Sequence, residues 1–176
     1  KRKNPYHTSL RDDKGTVQEK KIANTLSGLT GSHVLMNVYL PMDNGNTTEI
    51  DLLSITKEGL FVVESKNYKG WIFGGYNDQN WTVTYSNGSG KKAEKHQFYN
   101  PIKQNDTHIN WLRKTLGYDG PIWSVVVFSD TCEFKSVPEK DELSQNQHLI
   151  HLSELKWTIK TIIKSHPDTS LTDVDI

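Results

Sequence analysis

The strongest constraint on this chain is a hairpin whose arms are apolar for most of their length and charged at one end. Thr47 to Thr56 and Gly59 to Lys66 are rich in Val, Ile, Leu and Phe and are separated only by Lys57-Glu58. The spacing predicts two antiparallel strands joined by a tight turn. A turn centred between Lys57 and Glu58 sets Asp51 across from Glu64 and Glu49 across from Lys66. Alternation then gathers Glu49, Asp51, Leu53, Val62, Glu64 and Lys66 on one face, and Ile50, Leu52, Phe61 and Val63 on the other. Opposed carboxylates have β-carbons about 4.5–5.5 Å apart and repel unless a cation or a proton compensates.

Two kinds of compensation fit this pattern. Lys66, on the face of Glu64, can complete a salt-bridge ladder with Glu64 and Glu49 on a solvated sheet. Alternatively, hard oxygen ligands from neighbouring strands suit Mg²⁺, which takes one or two carboxylates and keeps waters for a substrate phosphate to replace. A lysine beside such an ion can hold or deprotonate a water, or stabilise the charge of a phosphoryl transition state. Spacing alone leaves both open.

Around the hairpin the pattern predicts a helix from about Thr16 to Leu29, a strand from His33 to Leu40, and a meander of Trp71–Tyr76 and Trp81–Tyr85. Asn100-Pro101 opens a second helix, with Ile102, Ile109, Leu112 and Leu116 as its apolar stripe and Gly117 at its end. Ile122 to Phe128 reads as a strand buried on both faces. Ser129 to Gln147 is polar and reads as loop. A short strand, His148–Leu152, and a helix, Ser153–Lys164, follow. The expected architecture is an α/β sandwich with a mixed sheet. On the first helix, Glu19 lies in line with Ile22, Leu26 and Leu29. It reads either as a site carboxylate or as the partner of Thr16 in a capping box.

The 176 residues hold 21 basic and 21 acidic side chains. The balance is uneven along the chain: residues 1–24 carry seven Lys or Arg against three acids, and residues 89–114 six against two. Zero net charge therefore does not exclude a polyanionic partner. A single cysteine, Cys132, excludes an internal disulfide and Cys-rich zinc frameworks, and reads as structural. No apolar run approaches the ~18 residues of a membrane span.

Asp51, then Glu64-Ser65-Lys66, after a helix bearing Glu19, resembles the active-site signature of the restriction-endonuclease-like PD-(D/E)xK nucleases. More closely, the chain resembles the nuclease-related domain (NERD) family. The matching pieces are Gly15-Thr-Val-Gln-Glu19, Glu49-Ile-Asp51, the string from Gly59 through Glu64-Ser-Lys66 to Gly70, and Asn100-Pro-Ile-Lys-Gln104. The resemblance implies a restriction-endonuclease-like three-layer sandwich, a central mixed sheet flanked by helices, with an added β-meander. It implies Asp51 and Glu64 as ligands of Mg²⁺ or Mn²⁺, with the Ser65 backbone carbonyl as a third and Glu19 as an outer acidic ligand. Lys66 would position or activate the attacking water, and Gln104 would orient a water or the scissile phosphate. Ser65 stands where an apolar residue is more usual, with its side chain pointing away from the site.

The implied function is metal-dependent hydrolysis of phosphodiester bonds in nucleic acid, with DNA as the expected partner. The alternative is an inactive nucleic-acid-binding or protein-interaction module on the same fold. Lys91, Lys92, Lys95 and Lys103 are the candidates for phosphate contact. Trp71, Phe73, Trp81 and Tyr85 read more simply as packing, and His148 and His151 as ordinary surface or core histidines. The expected layout is a basic extension over residues 1–14, one domain over 15–165 and a tail over 166–176. The chain begins at Lys1 without methionine, as an excerpt would. Its Lys-Arg-Lys start suits the cytoplasmic flank of a membrane anchor outside this chain, with no membrane contact within it.

Overall fold

A computed structural model describes residues 14–29, 32–85 and 93–166. The expected extension and tail therefore fall almost wholly outside the described residues. The hairpin forms with the register the turn dictates: β2 (Thr47–Thr56) pairs antiparallel with β3 (Gly59–Lys66) from Thr56↔Gly59 to Leu52↔Val63. Gly59 is required here. Its φ is +124°, and a β-carbon would stand 2.5 Å from the Pro121 carbonyl oxygen, which accepts the Leu60 N–H at 3.0 Å.

β1 (His33–Pro41) extends the sheet on the β2 side. β7 (Ile122–Phe128) and β9 (Gln147–His151) add parallel strands beyond β3, giving the order β1-β2-β3-β7-β9. β7 is buried along its whole length, in keeping with a sequence apolar at every position but Ser124. On one face α1 (Lys14–Ser27) and α3 (Leu155–Ser165) pack Ile22, Leu26, Leu155 and Ile159 against Leu52, Phe61, Val63 and Val125. On the other, α2 (Pro101–Leu116) packs Ile109 and Leu112 against Leu53, Leu60, Val62 and Ile122. This is the expected three-layer sandwich.

The expected meander is part of a second mixed sheet, β6-β5-β4-β8, made of β4 (Gly70–Phe73), β5 (Asn80–Tyr85), β6 (Glu94–Tyr99) and β8 (Cys132–Ser136). It packs beside α2 on the same face of the main sheet, where Ile72, Trp81 and Val83 meet Val126 and Phe128. Two expectations are corrected here. β8 lies inside the stretch read as loop, and β6 was not anticipated at all. Both are edge strands, held by backbone pairing to one neighbour, so their side chains carry little apolar alternation; β6 is Glu-Lys-His-Gln-Phe-Tyr and mostly exposed. The first strand of the meander also stops at Phe73, not Tyr76. Trp81 is fully buried and stacks on Phe128, ring centroids 6.3 Å apart, so its packing reading holds. Trp71, by contrast, is 45% exposed with the Lys135 ammonium over its ring.

α1 already includes Lys14 and Gly15, so Thr16 is a helical residue and not an N-cap. The capping-box reading of Glu19 falls with it. No helix among the described residues is long and apolar enough to cross a membrane.

Candidate active site

Asp51 sits where the main sheet comes apart. β1 and β2 pair on either side of it, Met36 with Leu52 and Val38 with Ile50, but the ladder skips Asn37, whose φ is +52°. On the other edge the β2–β3 ladder stops at Leu52↔Val63. Backbone in the left-handed region costs about 1–3 kcal/mol, least for glycine and asparagine, and such strain and bulges gather next to active sites. The irregularity reverses the alternation of β2: Ile50 packs with Leu53 and Val62 under α2, not with Leu52 under α1. The expected apolar face is corrected at Ile50 for that reason. Glu49 and Lys66 likewise do not meet as a ladder pair.

The gap lets the Asp51 side chain take the place of a strand. Its Oδ2 accepts the Ser65 N–H at 2.8 Å. The Lys66 carbonyl turns toward β7, where it accepts the Ser129 N–H at 3.0 Å. Successive residues of a strand point their backbone groups to opposite edges, so the Ser65 carbonyl faces the Asp51 edge. The Ser65 hydroxyl, as expected, points elsewhere, accepting from Gln18 Nε2 at 3.0 Å under α1.

Glu64 is 2% exposed. Lys66 Nζ donates to its Oε1 at 2.7 Å and to Gln104 Oε1 at 3.0 Å. Gln104 comes from α2, which Asn100 starts: its Oδ1 accepts the Ile102 and Lys103 N–H groups, and Pro101 follows as first helical residue. Asn105 pins the helix to the sheet, donating to the Val62 carbonyl and the Ser124 hydroxyl, each at 2.9 Å.

The electrostatics are those of a site short of positive charge. Burial foremost, then the neighbouring Glu64, pushes the Asp51 carboxyl up to about 7; the Ser65 N–H and Lys66 oppose this, and Glu19 adds to it. Glu19 therefore stands close enough to Asp51 to share its field, from a half-buried position on α1. Burial also pushes up the phenol of Tyr68, which feels both Lys66 and Glu64.

A family model described as nuclease-related domain matches residues 14–129. The chain belongs to that family. A relative from Bacillus anthracis, itself an uncharacterized protein, is 33% identical over 165 residues, which is 93% of this chain and 72% of the relative. No solved structure gives a significant match.

This nuclease-related domain thus brings together Asp51, Glu64, Lys66 and Gln104, with Glu19 at the margin. Among the described residues no group of three or more His, Cys, Asp and Glu stands at metal-ligand spacing. Mg²⁺ needs fewer than that, because waters and substrate oxygens complete its shell. Two carboxylates, one with an oxygen, Glu64 Oε2, that has no hydrogen-bond partner, and a backbone carbonyl on the Asp51 edge are a fitting set for a hard divalent cation. Of the lysines expected at phosphate, Lys91 and Lys92 lie outside the described residues. Lys95 is exposed on β6, and Lys103 Nζ donates to the Asn77 carbonyl at 2.6 Å.

Sequence reasoning missed three contributors. Among the described side chains of α1 it is Gln18, not Glu19, that is the buried polar one; the signal was its spacing of four from Ile22. His108 is 4% exposed, with Nε2 3.3 Å from Glu64 Oε2 and Nδ1 2.7 Å from the Thr48 hydroxyl. Its signal was also in the sequence, one helical turn after Gln104. Asn37 carried no signal. Cys132 is buried: burial pushes its thiol up to about 11, and its Sγ donates to the Ser129 carbonyl.

Proposed function

We propose that this domain is a nuclease that hydrolyses phosphodiester bonds of DNA with Mg²⁺ or Mn²⁺ held by Asp51, Glu64 and the Ser65 carbonyl, and with Glu19 as an outer acidic group. The observation that carries the reading is the broken ladder at Asp51, where a half-buried carboxylate, the buried carboxylate of Glu64 and a lysine stand together in a domain of the nuclease-related family. A divalent ion bound there supplies a Lewis acid for the phosphoryl oxygen and a more acidic water.

The protein's own part is positioning. Lys66 uses two of its three N–H donors on Glu64 and Gln104, leaving the third for a water or a non-bridging phosphate oxygen. Gln104 keeps the lysine from swinging away, and its amide nitrogen remains a donor toward the same space. Asp51, whose proton affinity is raised by burial and by Glu64, keeps its proton up to about pH 7 in the metal-free site, and a cation there favours its release.

The test is a cleavage panel on plasmid, linear and single-stranded DNA with Mg²⁺ or Mn²⁺, comparing wild type with Asp51→Asn, Glu64→Gln and Lys66→Ala. Each substitution is expected to lower the rate by at least ~10²-fold without unfolding the domain; cleavage that survives all three overturns the proposal. A second reading, an inactive binding module on this fold, is favoured by the closed Lys66–Glu64 pair. Salt-sensitive DNA binding without cleavage under any metal is its signature.

A further inference from the structure

We infer that His108 is a positioning residue that fixes the metal-binding carboxylate of Glu64, and that Thr48 sets the imidazole for the task. The inference rests on the metal-dependent reading above and extends it to residues that reading does not use. The geometry has three parts. Glu64 and His108 are both almost wholly buried, at 2% and 4% exposure. Glu64 Oε2 and His108 Nε2 stand 3.3 Å apart, and neither has a hydrogen-bond partner. Thr48 Oγ1 lies 2.7 Å from Nδ1 on the far side of the ring.

These contacts select a tautomer. If Nδ1 carried the proton of a neutral ring, the lone pair of Nε2 would stand 3.3 Å from Oε2, a repulsive contact between two buried atoms. With the Thr48 hydroxyl donating to Nδ1, the proton stands on Nε2, the ring nitrogen 3.3 Å from Glu64 Oε2. Lys66 then holds one oxygen of Glu64 by a hydrogen bond and the imidazole of His108 flanks the other at 3.3 Å, so the carboxylate is braced on both sides. A carboxylate oxygen has two lone-pair sites, and the contact with His108 leaves Oε2 one for a cation. The supports come from separate elements: Thr48 from β2, His108 from α2, Glu64 from β3. Gln104 and His108 lie one turn apart on α2, so a single helix face orients both the lysine and the glutamate.

Groups that orient a ligating carboxylate typically cost about 10–100-fold in metal affinity when removed. The experiment is calorimetric titration of Mn²⁺ into the full chain, with no substrate, for wild type and for His108→Gln, His108→Asn, His108→Ala and Thr48→Val, with circular dichroism to confirm folding. Glutamine can place an N–H near the position of Nε2; asparagine reaches only the position of Nδ1. The expected result is a loss of about 10–100-fold for His108→Ala and His108→Asn, a smaller loss for Thr48→Val, and recovery of most of the affinity in His108→Gln. Wild-type affinity in folded His108→Ala, or equal affinity in the Gln and Asn variants, overturns the inference while leaving the metal site intact. Absence of Mn²⁺ binding in wild type overturns the metal-dependent reading and this inference together. Should His108→Ala fail to fold, the Gln and Asn pair with the Thr48→Val comparison decides the matter.

Discussion

Asp51 makes the metal-free site sensitive to pH in a direction opposite to that of an ordinary salt-bridged aspartate. Its folded carboxyl is raised from 3.8 to about 7, so between those values the native state keeps a proton that the unfolded chain has lost. Stability must then fall as pH rises through that window, by on the order of a few kcal/mol, and level off above it. Urea titrations in EDTA from pH 4 to 8 should show this fall. Asp51→Asn, which keeps an oxygen for the Ser65 N–H, should remove the Asp51 contribution and be the more stable protein at pH 8. A decline of the same size in both proteins would exclude Asp51 as its source. Mn²⁺ should offset the loss in wild type alone, because only the ionised carboxylate binds it.

At the scale of elements, α2 is the piece on which the site depends. Asn100 caps it and also donates to the Tyr76 and Asp78 carbonyls at 3.1 and 2.8 Å, tying the helix start to the β4–β5 turn. Asn100→Ala removes both functions and should cost roughly 2–4 kcal/mol, a cap plus carbonyls left unpaired; a shift in urea midpoint without a change in slope would measure it. The hairpin makes the complementary prediction. Gly59→Ala forces a side chain into a conformation at φ +124° and against the Pro121 carbonyl, so it should destabilise by several times the ~1 kcal/mol of an ordinary Gly-to-Ala mismatch. A thermal midpoint equal to that of wild type would contradict this account of the turn.

For the whole molecule, the question is whether two sheets behave as one unit. Phe128 ends β7 in the main sheet, yet its ring meets Trp81 of β5, Phe98 of β6 and Phe134 of β8. It is fully buried, so Phe128→Ala should cost about 3–5 kcal/mol. The expectation for wild type is a single transition, with tryptophan fluorescence and far-ultraviolet dichroism changing together. Separate midpoints would show the second sheet unfolding on its own. Trp81 reports on that sheet and Trp123, packed on Phe61, on the main one.

The hairpin, its register, the start of α2 at Asn100-Pro101 and the buried β7 were legible in the sequence, because each is fixed by local chemistry: turn length, side-chain period, a cap, a run apolar but for Ser124. The grouping of Asp51, Glu64, Lys66 and Gln104 was legible through the family pattern those residues spell. The edge strands β6 and β8 were not, since backbone pairing to one neighbour asks little of the side chains. Nor was the break at Asn37 and Asp51, which turns Ile50 to the other face and frees a carboxylate from the ladder; it depends on three strands failing to pair at one point, and no local period records that. His108 was in plain sight one turn beyond Gln104, but only the packing of α2 across β2 and β3 put its ring between Thr48 and Glu64.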